Sequence, residues 1–175
     1  MKKISTILLA VIVVSTSSVH AAGSRSTAMN HEFKVIRINY RTGDQCSYQY
    51  SPVDFCDDQH ISAIKNAIVM KRPNFNRHYI LLPISERNWY HGHSLVAIDV
   101  ETGMAYPFPF DSYSGYMDSK GNVHGDGRLS YSLDSNQVCV SGSIVAYRET
   151  DSGTLCWKFE GGKFVGHRTP YTDER

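Results

Sequence analysis

The sequence predicts a mainly β domain of the α+β class: an antiparallel β-meander of blade-like hairpins, with a single helix in its N-terminal half and two disulfides. Three observations lead there. From Asn76 onward the apolar residues recur with the period of strands and are punctuated by Gly-containing turns. Only the stretch after Asp57 and Asp58 carries a helical period. Four cysteines, an even number, follow a leader of the secretory type.

The leader has Lys2 and Lys3 as its positive region, an unbroken apolar run from Ile7 to Val14, and Val19-His20-Ala21 as a small-x-small cleavage signal. Residues 1–21 are therefore expected to be a signal peptide and residues 22–175 a single exported domain, periplasmic or secreted. The apolar run is less than half of the roughly 20 residues needed to span a bilayer, and no comparable run follows, so stable membrane insertion is not expected. Cys46, Cys56, Cys139 and Cys156 all lie beyond the leader, and in an oxidising compartment they read as two disulfides. Three pairings are open; the local ones, Cys46 with Cys56 and Cys139 with Cys156, fit the layout best. Neither a CxxC nor a paired Cys/His spacing of the structural zinc type is present.

Charge excludes little except nucleic acid. The chain has 18 Lys+Arg against 17 Asp+Glu, and removing Lys2 and Lys3 leaves 16 against 17. No basic stripe is interleaved with aromatics, so a nucleic-acid partner is not expected.

In chain order, Phe33 to Tyr40 alternates as a first strand with Ile36, Ile38 and Tyr40 on its core side. Arg41 to Phe55 is irregular, with Thr-Gly-Asp and Ser-Pro turn signals. Asp57 or Asp58 then caps a helix whose Ile61, Ile64, Ala67 and Ile68 share one face, ending before Pro73. His78 to Pro83 and Ser94 to Asp99 read as strands, and Val100-Glu101-Thr102-Gly103 turns the chain into a partner strand from Met104 to Phe110. Asp111 to Arg128 reads as a long polar loop with four glycines; loops of that length are usually functional or disordered. Short strands follow at Val138 to Val140, Ile144 to Tyr147, Leu155 to Phe159 and Phe164 to Val165, separated by Ser141-Gly142, Asp151-Ser152-Gly153 and Gly161-Gly162.

The runs PNFNRHYILLP, GHSLVAIDVETGMAYPFPF, LSYSLDSNQVCVSGS and GTLCWKFEGGKFV resemble a loose group of small exported bacterial proteins. In that group a P-x-F-N-G-like turn precedes a strand, a D-x-x-T-G hairpin follows, and a last strand ends in Trp, Gly and Phe. The resemblance spans about Lys71 to Val165, departs at Arg77, where the turn favours Gly, and implies propeller-blade-like hairpins without an activity. A complete propeller needs far more strand than this chain has.

Residues able to carry chemistry are few. His91 and His93, two apart, would share a strand face and could be two ligands of one metal, the basis of an alternative reading as a metal-dependent envelope enzyme. A third ligand would have to come from a residue such as His78, Asp99 or His124, and no cofactor is expected. Ser94 follows His93, but no G-x-S-x-G elbow surrounds it. Aromatics are more suggestive: Trp89, Tyr90, Tyr113 and Tyr116 flank the central hairpin and its long loop, and Tyr and Trp are the residues that anchor interfaces. Phe108 and Phe110 are expected in the core.

The expected function is therefore binding, with a protein partner in the periplasm or outside the cell. An inhibitor or immunity protein for an envelope-acting enzyme is its concrete form; a structural accessory of an envelope assembly is a further alternative. Ser114-Gly115-Tyr116-Met117-Asp118 resembles the S-G-x-x-Y motif of one family of periplasmic lysozyme inhibitors, but has Asp118 where that motif has Tyr.

Overall fold

A computed structural model describes residues 37–38, 46–48, 50–86 and 92–172. The leader, most of the first predicted strand, and Trp89, Tyr90 and His91 lie outside the described residues. The predicted first strand is represented by β1 (Arg37–Ile38), which runs parallel to β4 (Met104–Pro107).

The helix α1 (Asp58–Met70) starts where its cap chemistry places it: the Asp57 carboxylate accepts from the His60 backbone N–H at 2.8 Å, satisfying one of the free donors of the first turn. Ile64 and Ala67 are buried against one face of β2 (Tyr79–Ser85) and β3 (His93–Asp99). These strands pair antiparallel, Tyr79 opposite Asp99 and Ser85 opposite His93. Their alternation splits two cores. Ile80, Leu82, Ile84, Val96 and Ile98 face the helix together with Val53 and Phe55; Leu81, Leu95 and Ala97 face the other way. Covered on both sides, β3 is buried over six consecutive residues, which explains its unbroken apolar run.

The second core is enclosed by the rest of the sheet. β3 pairs with β4 and with β5 (Ser112–Ser114). β5 and β8 (Arg128–Ser130) pair with one edge of β9 (Gln137–Ala146), β10 (Glu149–Glu160) with the other, and β11 (Lys163–Gly166) with the end of β10. Phe108, Phe110, Tyr113, Val138, Val140, Ile144, Trp157 and Phe159 are buried there. The sheet curls until its ends meet: Phe159 packs edge-on to Tyr79 and Tyr106 at 4.8 and 5.1 Å, and Phe164 stacks on Phe108 at 3.7 Å between centroids. Beyond β11 the chain runs back along β10. His167 Nε2 sits 2.9 Å from Asp151 Oδ2, and Thr169 Oγ1 donates to the Pro109 carbonyl at 2.6 Å.

The mainly β class, the one helix among the described residues and both local disulfides, Cys46–Cys56 and Cys139–Cys156, agree with the expectation. Several boundaries differ. The predicted strands at 138–140 and 144–147 are one continuous strand, and Asp151-Ser152-Gly153 lies within β10 instead of turning it. Gly142 is opposite Gly153, and a Cβ at Gly142 would come within 2.1 Å of the Ser114 carbonyl oxygen. That glycine allows β5 to approach β9; the chain reverses later, at Tyr147-Arg148, where Tyr147 has a φ of 59°. Arg77 also takes a left-handed φ, 68°, in the turn where glycine is favoured. The long loop from Asp111 is not irregular. It contributes β5 to the main sheet and forms a separate hairpin from β6 (Tyr116–Met117) and β7 (Val123–His124). The fourth predicted strand ends at Pro107, three residues early; Phe108 N–H still donates to the Leu95 carbonyl, but Pro109 has no N–H with which to extend the ladder, and Phe108 and Phe110 are buried.

Candidate functional site

Of the four aromatic residues singled out by sequence, the structure describes two, and it separates them. Tyr113 lies in β5 with its ring in the core, against Phe110 and 5.5 Å from the His93 imidazole. Burial pushes its hydroxyl up to a pKa of about 12. Tyr113 is thus a packing residue. Tyr116, three positions on, is 59 % exposed at the base of the β6–β7 hairpin. His93 and Ser94 occupy successive positions of β3 and so point to opposite faces, which rules out a direct dyad between them. Ser94 Oγ is buried without a hydrogen-bond partner. Among the described residues the one cluster with metal-ligand geometry is Cys46, Asp54 and Cys56, whose sulfurs are bonded to each other.

The β6–β7 hairpin is held rigid by its own polar groups. At its tip the Asp118 carboxylate accepts from the backbone N–H groups of Lys120 and Asn122 at 2.8 and 2.9 Å, from the Asn122 amide at 3.0 Å, and lies 3.2 Å from His124 Nε2. Bonds from Asn122, then His124 and Lys120, hold this carboxyl well below the usual range, so it is charged at any ordinary pH. At the base, Met117 N–H donates to Ser143 Oγ at 2.8 Å, and Gly115 passes so close to the carbonyls of His124 and Gly125 that no side chain fits.

A second feature was not visible in the sequence. Asp111, almost wholly buried, accepts from Ser51 Oγ at 2.5 Å, from Tyr171 OH at 2.8 Å and from the Tyr147 N–H at 2.8 Å. Burial raises its pKa, and the three donors only partly offset that rise. Tyr171 is shifted up as well, by burial and then by the Asp111 carboxylate. The Tyr171 ring stacks on Tyr48 at 4.5 Å and 6°. Together they form one wall of a cleft of about 110 Å³, lined also by Tyr106, Pro107, Pro109 and Phe164, along the seam where the curled sheet meets itself.

Beside this seam stand Tyr50 and Tyr147, with rings 5.6 Å apart, and the Arg148 guanidinium carbon lies 5.3 Å from the Tyr147 ring centroid. Sequence reasoning placed Tyr50 in an irregular loop and Tyr147 at a strand end. Tyr147-Arg148 carries no turn dipeptide and is followed by the polar Glu149-Thr150-Asp151-Ser152-Gly153, so no sequence signal marks this reversal or a tyrosine that adopts a left-handed backbone. Compared with protein families, with curated proteins and with solved structures, the chain matches none.

Proposed function

We propose that the chain is an exported binding protein that acts in the periplasm or outside the cell and takes a protein as its partner, as an inhibitor or immunity protein takes an envelope-acting enzyme. The observation that carries this reading is the β6–β7 hairpin, ordered before any partner arrives. Its tip is fixed by four contacts to one carboxylate and its base is tied to β9. A hairpin so fixed loses little conformational entropy on docking, and Tyr116 gives it an exposed aromatic anchor. Two formed disulfides accord with an oxidising compartment, and no described helix is long and apolar enough to cross a membrane.

The test is an affinity pull-down from periplasmic extract with the mature chain, run in parallel with Tyr116→Ala. The expected result is one stoichiometric enzyme partner, bound about 30-fold more weakly by the variant, the loss typical of an aromatic hot spot. A partner held equally well by Tyr116→Ala, or none at all, would sink the hairpin reading.

A further inference from the structure

Two exposed tyrosines occupy a backbone region that disfavours them. Tyr50 has a φ of 67° and is 73 % exposed; Tyr147 has a φ of 59° and is 39 % exposed. Left-handed φ crowds the β-carbon of any L-residue, and glycine alone takes it without penalty. Tyr50, largely in solvent, recovers little from burial to offset that cost. Strain of this kind persists where the surroundings enforce it and tends to mark sites of use.

Here the enforcement comes from two tight turns, the one closed by Ser51 N–H on the Tyr48 carbonyl and the reversal between β9 and β10, and from Asp111. Its Oδ2 accepts from the Tyr147 N–H, which also donates to Tyr171 OH at 2.9 Å, and its Oδ1 accepts from Ser51, the neighbour of Tyr50. The buried carboxylate thus holds Tyr147 directly and the residue beside Tyr50, and the two rings lie 5.6 Å apart. Arg148 adds a cation against the Tyr147 face; among the described residues no carboxylate lies within ion-pairing distance of its guanidinium.

We infer that Tyr50, Tyr147 and Arg148 form a docking site for a partner protein that presents an acidic side chain next to an apolar one. Tyrosine and arginine are the residue types that dominate interface hot spots, and an exposed guanidinium stacked on a ring is preorganised to take a carboxylate through two parallel bonds. The two rings, tilted 45° against each other, offer no single flat platform for a sugar, which favours a protein surface. The site shares no residue with the β6–β7 hairpin and stands whether or not the hairpin binds.

The test uses the mature chain as bait for a phage-displayed random peptide library, followed by titration of the best-enriched synthetic peptide. Enriched sequences are expected to carry Asp or Glu beside an apolar residue. Tyr50→Gly and Tyr147→Gly should each weaken the peptide by about 30-fold, and Arg148→Gln by about 10-fold. Both glycine variants should keep or raise the melting temperature, since glycine relieves the left-handed backbone. That combination, more stable but binding less, is what a purely structural role does not give. Enrichment of acid-free peptides, no enrichment, unchanged binding by Arg148→Gln, or a clear fall in melting temperature of both glycine variants would each overturn the inference.

Discussion

Asp111 shows how much one residue can organise. It joins three segments distant in sequence, around Ser51, Tyr147 and Tyr171, and each bond satisfies a donor that water cannot reach easily. The expected outcome of Asp111→Ala is a loss of about 3 kcal/mol in chemical denaturation, since the donors are left without an acceptor. Asp111→Asn should cost only about 1 kcal/mol: its amide oxygen can still accept from Tyr147, while the hydroxyls of Ser51 and Tyr171 can rotate to accept from its NH₂. Equal losses for the two variants would mean that charge, not satisfaction of donors, is what counts. None of this was legible in the sequence, where Asp111 merely opens a polar stretch. Tyr113 and Tyr116 teach the same point: both belong to that stretch, yet the pairing of β5 with β9 puts one ring in the core and leaves the other outside.

At the level of elements, the helical period and its Asp cap were readable because they are local, whereas strand ends were misread where glycine served close approach instead of turning. Gly142→Ala tests that distinction. At Gly142 a φ of 149° and the overlap of a Cβ with the Ser114 carbonyl add, so the variant should lose about 3 kcal/mol, whereas Gly121→Ala, at a φ of 83° but in open space, bears the backbone cost alone and should lose less. Comparable losses at the two sites would show that backbone conformation, not proximity, governs them. The helix start carries a pH dependence. Buried His60 has Nδ1 2.7 Å from Asp57 and Nε2 2.9 Å from Glu86 at the end of β2. Burial opposes its charge, but the bonds from Glu86 and then Asp57 outweigh it, and the imidazolium is held above its ordinary value of 6.5. A raised folded pKa means that this stabilisation is complete below pH 6.5 and lost as pH rises through the higher folded value. The melting temperature should therefore fall as pH rises above about 6.5, and His60→Gln should flatten that slope while costing about 2 kcal/mol at the acid end. A slope unchanged in His60→Gln would assign it to another group.

For the whole molecule, the class, the helix and the number of disulfides were legible because cysteine parity and periodicity are properties of the chain itself; the pairing was open to three choices, of which the local one, favoured on layout, is the one found. The curl of the sheet was not, since it depends on contacts such as Phe108 with Phe164 and Tyr79 with Phe159 that no local pattern announces. Thiol labelling of the denatured but unreduced protein should find no reactive cysteine, and Cys139→Ser/Cys156→Ser should lose roughly 3 kcal/mol, the value expected for a closed loop of that size. A labelled thiol in the wild type would contradict the pairing. Finally, the clasp between Tyr171 and Asp111 has a bearing on how the chain is made. The ribosome adds Tyr171 a full 60 residues after Asp111, which at about 5–20 residues per second is an interval of seconds. Throughout that interval the carboxylate lacks one donor, and the seam that Tyr171 helps to wall remains open. The growing polypeptide thus stays unlocked at this seam until Tyr171 has been added.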